Sequence, residues 1–518
     1  MNTVKKLICM LLVLVMCLGA LASCNTPDPK DPVDTDDATE GDGTTGGGDD
    51  GSDDETTEDP STRDDLVDFP GFETTQEYVV YSRSTTAYEF ETPKGDNLSG
   101  VNQALFNRNA EVMQRCNVEI SVVPAAGEWS DKGAFMQSVR TDGKLDKSDY
   151  SLIATHSVYL MTLAVEGYGH DFSQLPNIDL SKRWWSAAFY EQTNYNGAQY
   201  IAFGDLAHTL YSYMMVVFFN SDLADRYQVD EDLYDLALEG DWTLAKMKEY
   251  LELASTDPDL ALENREFGLL TNGHSMRAFI TGFNMDWATV NGDGLREIPK
   301  SISATIEPAA EMLRTLSTEN PKVYYSTEGV NGTGDQNAFF AAGNSLFYTQ
   351  MLGQATYFKS TMKSEYGVLP FPKYDENQKE YRSGYCDDMT AVMVPFNCKD
   401  ELLSGTVTEM LAMIGYEEVF DAYYEENLKY QSFDNPKCVA SLELIRRTFS
   451  PTFTSVYGDS IGTISAAVAN QIEINIRENS NGTVSGYYGS NVGTWRKQLR
   501  DLYTALDKIA SDRAAAAS

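Results

Sequence analysis

From Tyr78 onward the apolar and polar positions switch repeatedly between two periods. Tyr78-Val79-Val80-Tyr81 is a continuous apolar run, the mark of a strand buried on both faces. Val101, Leu105, Val112 and Met113 then share one helical face, and Val118, Ile120 and Val122 alternate with Glu119 and Ser121 as a strand. A polar helix is predicted around Gly133 to Val139, and Tyr150 to Ala154 returns as an apolar strand. Strand, helix, strand, helix, strand is the sequence form of a parallel sheet with helical crossovers. Ligands in such sheets bind beyond the carboxyl ends of the strands, which directs attention to Ser82-Arg83-Ser84, Pro124 to Trp129, and Thr155-His156-Ser157.

A second lobe is predicted after the apolar strand Met214 to Phe219. Its first helix carries Leu244, Met247, Leu251 and Ala254 on one face, with Thr243 as N-cap and Trp242 packed at the cap. Phe267 to Leu270 and Leu346 to Tyr348 read as strands of this lobe. Tyr366 to Leu369 reads as a return crossing, stiffened by Pro370 and Pro372. Met389 to Val394 is a further strand, and the remainder is mainly helical up to Ile509; no internal repeat is found.

The first 72 residues follow none of these patterns. Lys5 and Lys6 precede an apolar run from Leu7 to Leu18, too short for a membrane span and arranged as a secretory signal. Leu21-Ala22-Ser23-Cys24 resembles the lipobox of bacterial lipoproteins, which implies cleavage before Cys24 and lipidation of its thiol; the alternative is an ordinary signal with Cys24 unmodified. From Asn25 to Pro70 there are 17 acidic residues against Lys30 and Arg63, amid Gly, Thr, Ser and Pro. Such a segment buries too little apolar surface to offset its ordering entropy, so an extended tether is expected. Its acidic clusters lack the spacing of a calcium loop. The resulting division is 1–23 signal peptide, 24–72 lipidated cysteine and tether, 73–215 first lobe, 216–368 second lobe, 369–430 return to the first lobe, and 431–518 a C-terminal helical segment mainly of the second lobe.

Charge and composition narrow the partners. The net charge of −39 argues against nucleic acid, whose phosphates call for clustered Lys and Arg. No later apolar run reaches the length of a span, so membrane contact is expected through the lipid alone. Cys116, Cys386, Cys398 and Cys438 allow three pairings or free buried thiols. With 4 histidines, none close in sequence to another, no zinc or copper site and no cofactor are expected. Nucleophile elbow, Walker loop and zincin motifs are all missing.

Several short stretches, in this order and spacing, carry a family likeness: Asp179-Leu180-Ser181 with Trp184-Trp185, Val216-Val217-Phe218-Phe219-Asn220, Asp241-Trp242-Thr243, Ala338-Phe339-Phe340 through Phe347, and Tyr366-Gly367-Val368-Leu369-Pro370-Phe371-Pro372. Spread over residues 75 to 400, they resemble the sugar-type extracellular solute-binding proteins of ABC importers. The resemblance implies an α/β, two-lobed type II periplasmic-binding-protein fold that closes over its ligand like a hinge. It further implies a non-enzyme, anchored on the outer face of a bacterial membrane, that captures a carbohydrate, in the first instance an oligosaccharide, and acts as a monomer with the importer's permease subunits. A secreted carbohydrate-active enzyme, or a surface glycan-binding protein unconnected to an importer, is the competing reading.

A sugar site needs rings to stack on C–H faces and polar groups to pair with hydroxyls. The sheet rule nominates Arg83 and His156 in the first lobe, and Asn272 and Gln350 in the second. Asp205 and His208 precede the hinge strand and are expected near the cleft floor. Trp287 and Tyr385 are candidate stacking rings, as is Trp185, which on an extended chain would face opposite to Trp184. Asp387 is a candidate hydroxyl partner; as neighbours on an extended segment, Asp387 and Asp388 should point apart, which disfavours a hydrolase dyad.

Overall fold

The computed structural model describes residues 69–518, apart from 96, 97, 99, 293, 303, 305, 319, 327–335, 434, 468–470, 472–482 and 518. The signal, Cys24 and the tether as far as residue 68 lie outside the described residues. Phe69 and Phe72 are packed: their rings meet edge to face at 5.0 Å, and the Phe72 N–H donates to Cys116 O at 2.9 Å.

The first lobe is built on β1 (Gln76–Arg83), β2 (Val118–Ala125) and β3 (Leu152–His156), parallel to one another. Their crossovers are α1 (Val101–Cys116) and α2 (Lys132–Asp142). Asn117, in the left-handed conformation that asparagine tolerates, ends α1 and turns the chain into β2. The helix α3 (Ser157–Val165) leaves directly from β3 and is buried almost throughout.

The second lobe holds β4 (Met215–Asn220), β5 (Phe267–Asn272), β8 (Val323–Ser326), β9 (Ser345–Met351) and β10 (Tyr366–Leu369), in the order β10–β4–β9–β5–β8. A small ladder, β6 (Thr289–Val290) with β7 (Arg296–Glu297), stands apart. The helix α4 (Leu244–Leu251) is capped by the Thr243 hydroxyl, which accepts from the Lys246 N–H; Trp242 is buried and donates to Pro370 O at 3.0 Å. The helices α5 (Gly273–Gly282) and α6 (Ile306–Thr318) follow β5 and precede β8. The predicted strands are all present, and β8 is an additional one. The chain then returns to the first sheet as β11 (Thr390–Met393), antiparallel to β3, giving the order β11–β3–β1–β2.

The two sheets are joined where the chain crosses in opposite directions. Met214 bridges Tyr385, the Met215 N–H donates to Gly384 O, and the Cys386 N–H donates to Tyr213 O, each at 2.9 Å. A third segment runs beside them, Ser383 bridging Phe449 in parallel. Buried Glu89 fastens both main crossings to the first lobe: its carboxylate accepts from the Thr209 N–H at 2.9 Å and from the Thr390 hydroxyl at 2.6 Å.

Later helices cover this frame. The helix α7 (Glu401–Ile414) packs on α1 and β1, and α8 (Pro436–Arg447) packs on β10. The last helix, α9 (Val484–Ala517), touches α3 and α6, so it contacts both lobes. Its Tyr488 and Tyr503 hydroxyls donate to Pro299 O and Arg296 O in the second lobe, while Tyr195 donates to Asp507. Cys116, Cys386, Cys398 and Cys438 are free and buried. Among the described residues, no helix is long and apolar enough to cross a membrane.

Candidate functional site

The carboxyl ends of β1, β2 and β3 end at one edge of the first sheet, with Arg83 beside Ala125 in register. β11 runs the other way, so the segment before it, 385–388, passes over that edge. In the second sheet β5 and β9 are parallel and end at Asn272 and Met351, where β4 begins. The crossing residues therefore sit between two rows of strand ends.

Asp388 organises the first-lobe side. Its carboxylate accepts from the Trp129 indole N–H at 2.9 Å and lies 3.2 Å from His156 Nδ1, while its backbone carbonyl accepts from Arg83 at 2.7 Å. Arg83 also approaches His156 Nε2 to 2.7 Å. The same guanidinium nitrogen lies 3.1 Å from His156 Nδ1, so the imidazole is held between Arg83 and Asp388. Burial alone would raise the Asp388 pKa; the hydrogen bonds from His156 and Trp129 and the charge of Arg83 outweigh it, holding the carboxyl well below the usual range. Trp129 is 43% exposed although its N–H is pinned; its ring packs on His156 and Tyr159, with the Lys132 ammonium 5.5 Å from a ring centroid, and the rest of it is open to solvent.

Asp387 turns the other way, to Arg277 in α5, with contacts of 2.7 and 3.4 Å. Arg277 also approaches His274 Nδ1 to 2.7 Å. The two adjacent carboxylates do point apart.

Beside them is a cavity of about 360 Å³. One wall is amide-rich: Asn272, Gln336, Asn337 and Gln350. These groups hold one another in place, Gln350 donating to the Tyr348 hydroxyl at 2.7 Å, Tyr348 to Asn337 at 3.0 Å, and Gln336 to Ser326 at 2.8 Å. Asn272 caps α5 by accepting from the Ser275 N–H. Tyr348, Met215, Met351, His274, Cys386 and Asp388 complete the lining. Burial pushes the Cys386 thiol far up, so it is protonated.

Of the residues expected here, Arg83, His156, Asn272, Gln350 and Asp387 gather around the crossing. The other five lie elsewhere. Trp185 is core: the chain around 181–185 is a turn rather than a strand, so Trp184 and Trp185 both reach Glu409, at 2.8 and 2.9 Å. Asp205 is buried under Tyr211, whose hydroxyl donates to it at 2.6 Å, and burial raises its pKa to about 7. His208 is buried 3.7 Å from Glu89, and burial pushes its pKa down to about 3. Trp287 stacks on Tyr488 at a separate cavity of about 300 Å³. Tyr385 alternates with Cys386 on the crossing, so its ring enters the cluster of Phe189 and Phe449 instead of the cavity. Sequence reasoning missed Arg277, Gln336 and Asn337. Only Arg277 left a signal, one helical turn after His274 behind a predicted strand.

No protein-family model matches the sequence, and no curated protein matches it. Its fold matches solved structures. An ABC substrate-binding protein of Listeria monocytogenes in complex with cycloalternan aligns with a TM-score of 0.54 at 13% identity, over 84% of this chain and 99% of that one. The galacto-N-biose-/lacto-N-biose I-binding protein of a Bifidobacterium longum ABC transporter gives 0.54 at 12%, over 84% and 99%. The maltose/maltodextrin-binding domain MalE of Bdellovibrio bacteriovorus bound to maltotriose gives 0.53 at 11%, over 82% and 100%. The two-lobed periplasmic-binding-protein fold is therefore the fold of this chain.

Proposed function

We propose that the chain is an exported, lipid-anchored solute-binding protein that captures a carbohydrate between its lobes and delivers it, unchanged, to the permease subunits of an ABC importer. The observation that carries this reading is the pairing of Trp129 with Asp388 beside an amide-walled cavity. An exposed indole held by its N–H presents a ring to the C–H face of a sugar, while Asp388 and the four amides offer the paired donors and acceptors its hydroxyls need. A cavity of about 360 Å³ belongs to the small end of ligand sites. Trp129 extends the platform beyond it, which favours an oligosaccharide with one end inside. Sugar ligands in the neighbouring structures support the same class.

The test is a thermal-shift and calorimetric screen of the exported chain against mono- and oligosaccharides, including maltotriose, lacto-N-biose and cycloalternan. A saturable rise in melting temperature is expected, because a ligand that binds only the folded state stabilises it. Chromatography of the ligand afterwards separates this reading from a carbohydrate-active enzyme: the receptor returns its sugar intact. The anchor is tested with Cys24→Ser, which should appear in the soluble fraction with its ligand affinity unchanged and as a monomer by light scattering.

A further inference from the structure

Cys386 on the crossing and His274 on the first turn of α5 are far apart in sequence, yet Cys386 Sγ lies 4.0 Å from His274 Nδ1. The carboxylate of Asp387 joins them: one ligand atom from each of the three falls within 4.8 Å of the others. A tetrahedral site with metal–sulfur and metal–nitrogen bonds near 2.3 and 2.0 Å separates its ligand atoms by about 3.5 Å, so each side chain needs to move by about 1 Å or less. Met215 and Met351, which carry soft thioether donors, are among the residues that line the same cavity. The locus already suits a cation, since the Arg277 guanidinium bonds both His274 and Asp387 there.

We propose that His274, Cys386 and Asp387 form a binding site for one thiophilic divalent cation of the zinc class, in competition with the guanidinium of Arg277. Thiolate, imidazole and carboxylate are the ligand types such an ion takes, and the fourth position is left to a thioether or water. On binding, the Cys386 thiol releases its proton to the buffer, a metal–sulfur bond forms, and Arg277 swings off His274 and Asp387. The ion would sit in the second-lobe wall of the cavity. This inference is independent of the carbohydrate reading, because it concerns the metal alone.

The test is titration of the full chain with Cd²⁺ by calorimetry and ultraviolet absorption, where a thiolate–metal charge-transfer band reports a bond to cysteine sulfur. One equivalent should bind with that band and with release of a proton. Cys386→Ser should abolish the band, and His274→Ala should weaken binding by about tenfold or more. Arg277→Leu, which adds no donor, should tighten it, a gain that misfolding cannot mimic. A band that survives in Cys386→Ser, an affinity unmoved by Arg277→Leu, or no binding to the parent chain would each overturn the proposal.

Discussion

Asp387 and Asp388 are consecutive, and their carboxylates are bound to opposite lobes: Asp387 to Arg277 of the second, Asp388 to Trp129 and His156 of the first. One peptide unit thus separates the polar ties of the two lobes. Asp388→Ala leaves the Trp129 indole and His156 without their acceptor, and Arg83 and His156 beside an unfilled space. It should lower stability by about 2–4 kcal/mol, toward the range for breaking a buried charged pair. Asp388→Asn, which keeps an acceptor, should fall between the two. Chemical unfolding of the three proteins checks the order.

Trp129 and Trp287 make a paired prediction. With its ring half in solvent, Trp129→Ala should lower the melting temperature modestly, through loss of the Asp388 hydrogen bond and the packing on Tyr159, and weaken sugar binding about ten- to a hundred-fold, the equivalent of about 1–3 kcal/mol. Trp287→Ala removes a buried ring stacked on Tyr488 and should destabilise by about 3–5 kcal/mol while the affinity of the folded protein stays as it was. The opposite assignment of effects would return Trp287 to the cleft.

Much of this architecture is legible in the amino-acid sequence. Strand periods from Tyr78 to Val394 and the Thr243 cap follow from local chemistry, and the rule that ligand loops follow parallel strands reaches Arg83, His156, Asn272 and Gln350. Side-chain direction off regular backbone is not legible in the same way. Trp184 and Trp185 both meet Glu409 because a turn, with no fixed alternation, carries them. Tyr385 and Cys386 do alternate, but which of them faces the cavity depends on how the crossing is rolled between lobes. Gln336 and Asn337 reach the wall from the start of a short helix, Gln336–Ala341, whose placement depends on the packing of the whole second lobe. The family likeness at Ala338-Phe339-Phe340 marks that helix without revealing its role.

Stability should depend on pH in a definite direction. Burial raises the folded-state pKa of Asp205 from 3.8 and of Glu409 from 4.5, each to about 7. Both bind a proton more tightly when folded, so the stability they lend is complete below their unfolded values and is lost as pH climbs toward 7. Asp388 acts in the other sense: its folded pKa is depressed, and its contribution fades as pH falls below about 4. His208, whose pKa burial pushes down to about 3, opposes them, because its contribution is lost as pH falls below about 6.5. Urea unfolding should therefore show a decline from about pH 5 toward neutrality that His208 partly offsets. Asp205→Asn, which still accepts from Tyr211, should flatten that decline.

The proposed capture of a sugar between the lobes supplies a further measurable. Closure on ligand would bend the crossings at Tyr213–Met215 and Gly384–Cys386, so small-angle scattering with saturating sugar should give a smaller radius of gyration than without. Binding confirmed by calorimetry with an unchanged scattering curve would mean a rigid pocket.

The order of strands has a consequence for how the chain acquires its shape. β4, β5, β8, β9 and β10 all lie between residues 215 and 369, so the second sheet can assemble from one uninterrupted stretch. The first sheet must wait: β11 joins β3 only after the whole second lobe has been made, and α9 then reaches back to α3. Long-range pairings of this kind are slow to form, because the intervening chain loses entropy before the contact repays it. The insert should therefore fold first, and the first sheet should lack its fourth strand until residue 390 arrives.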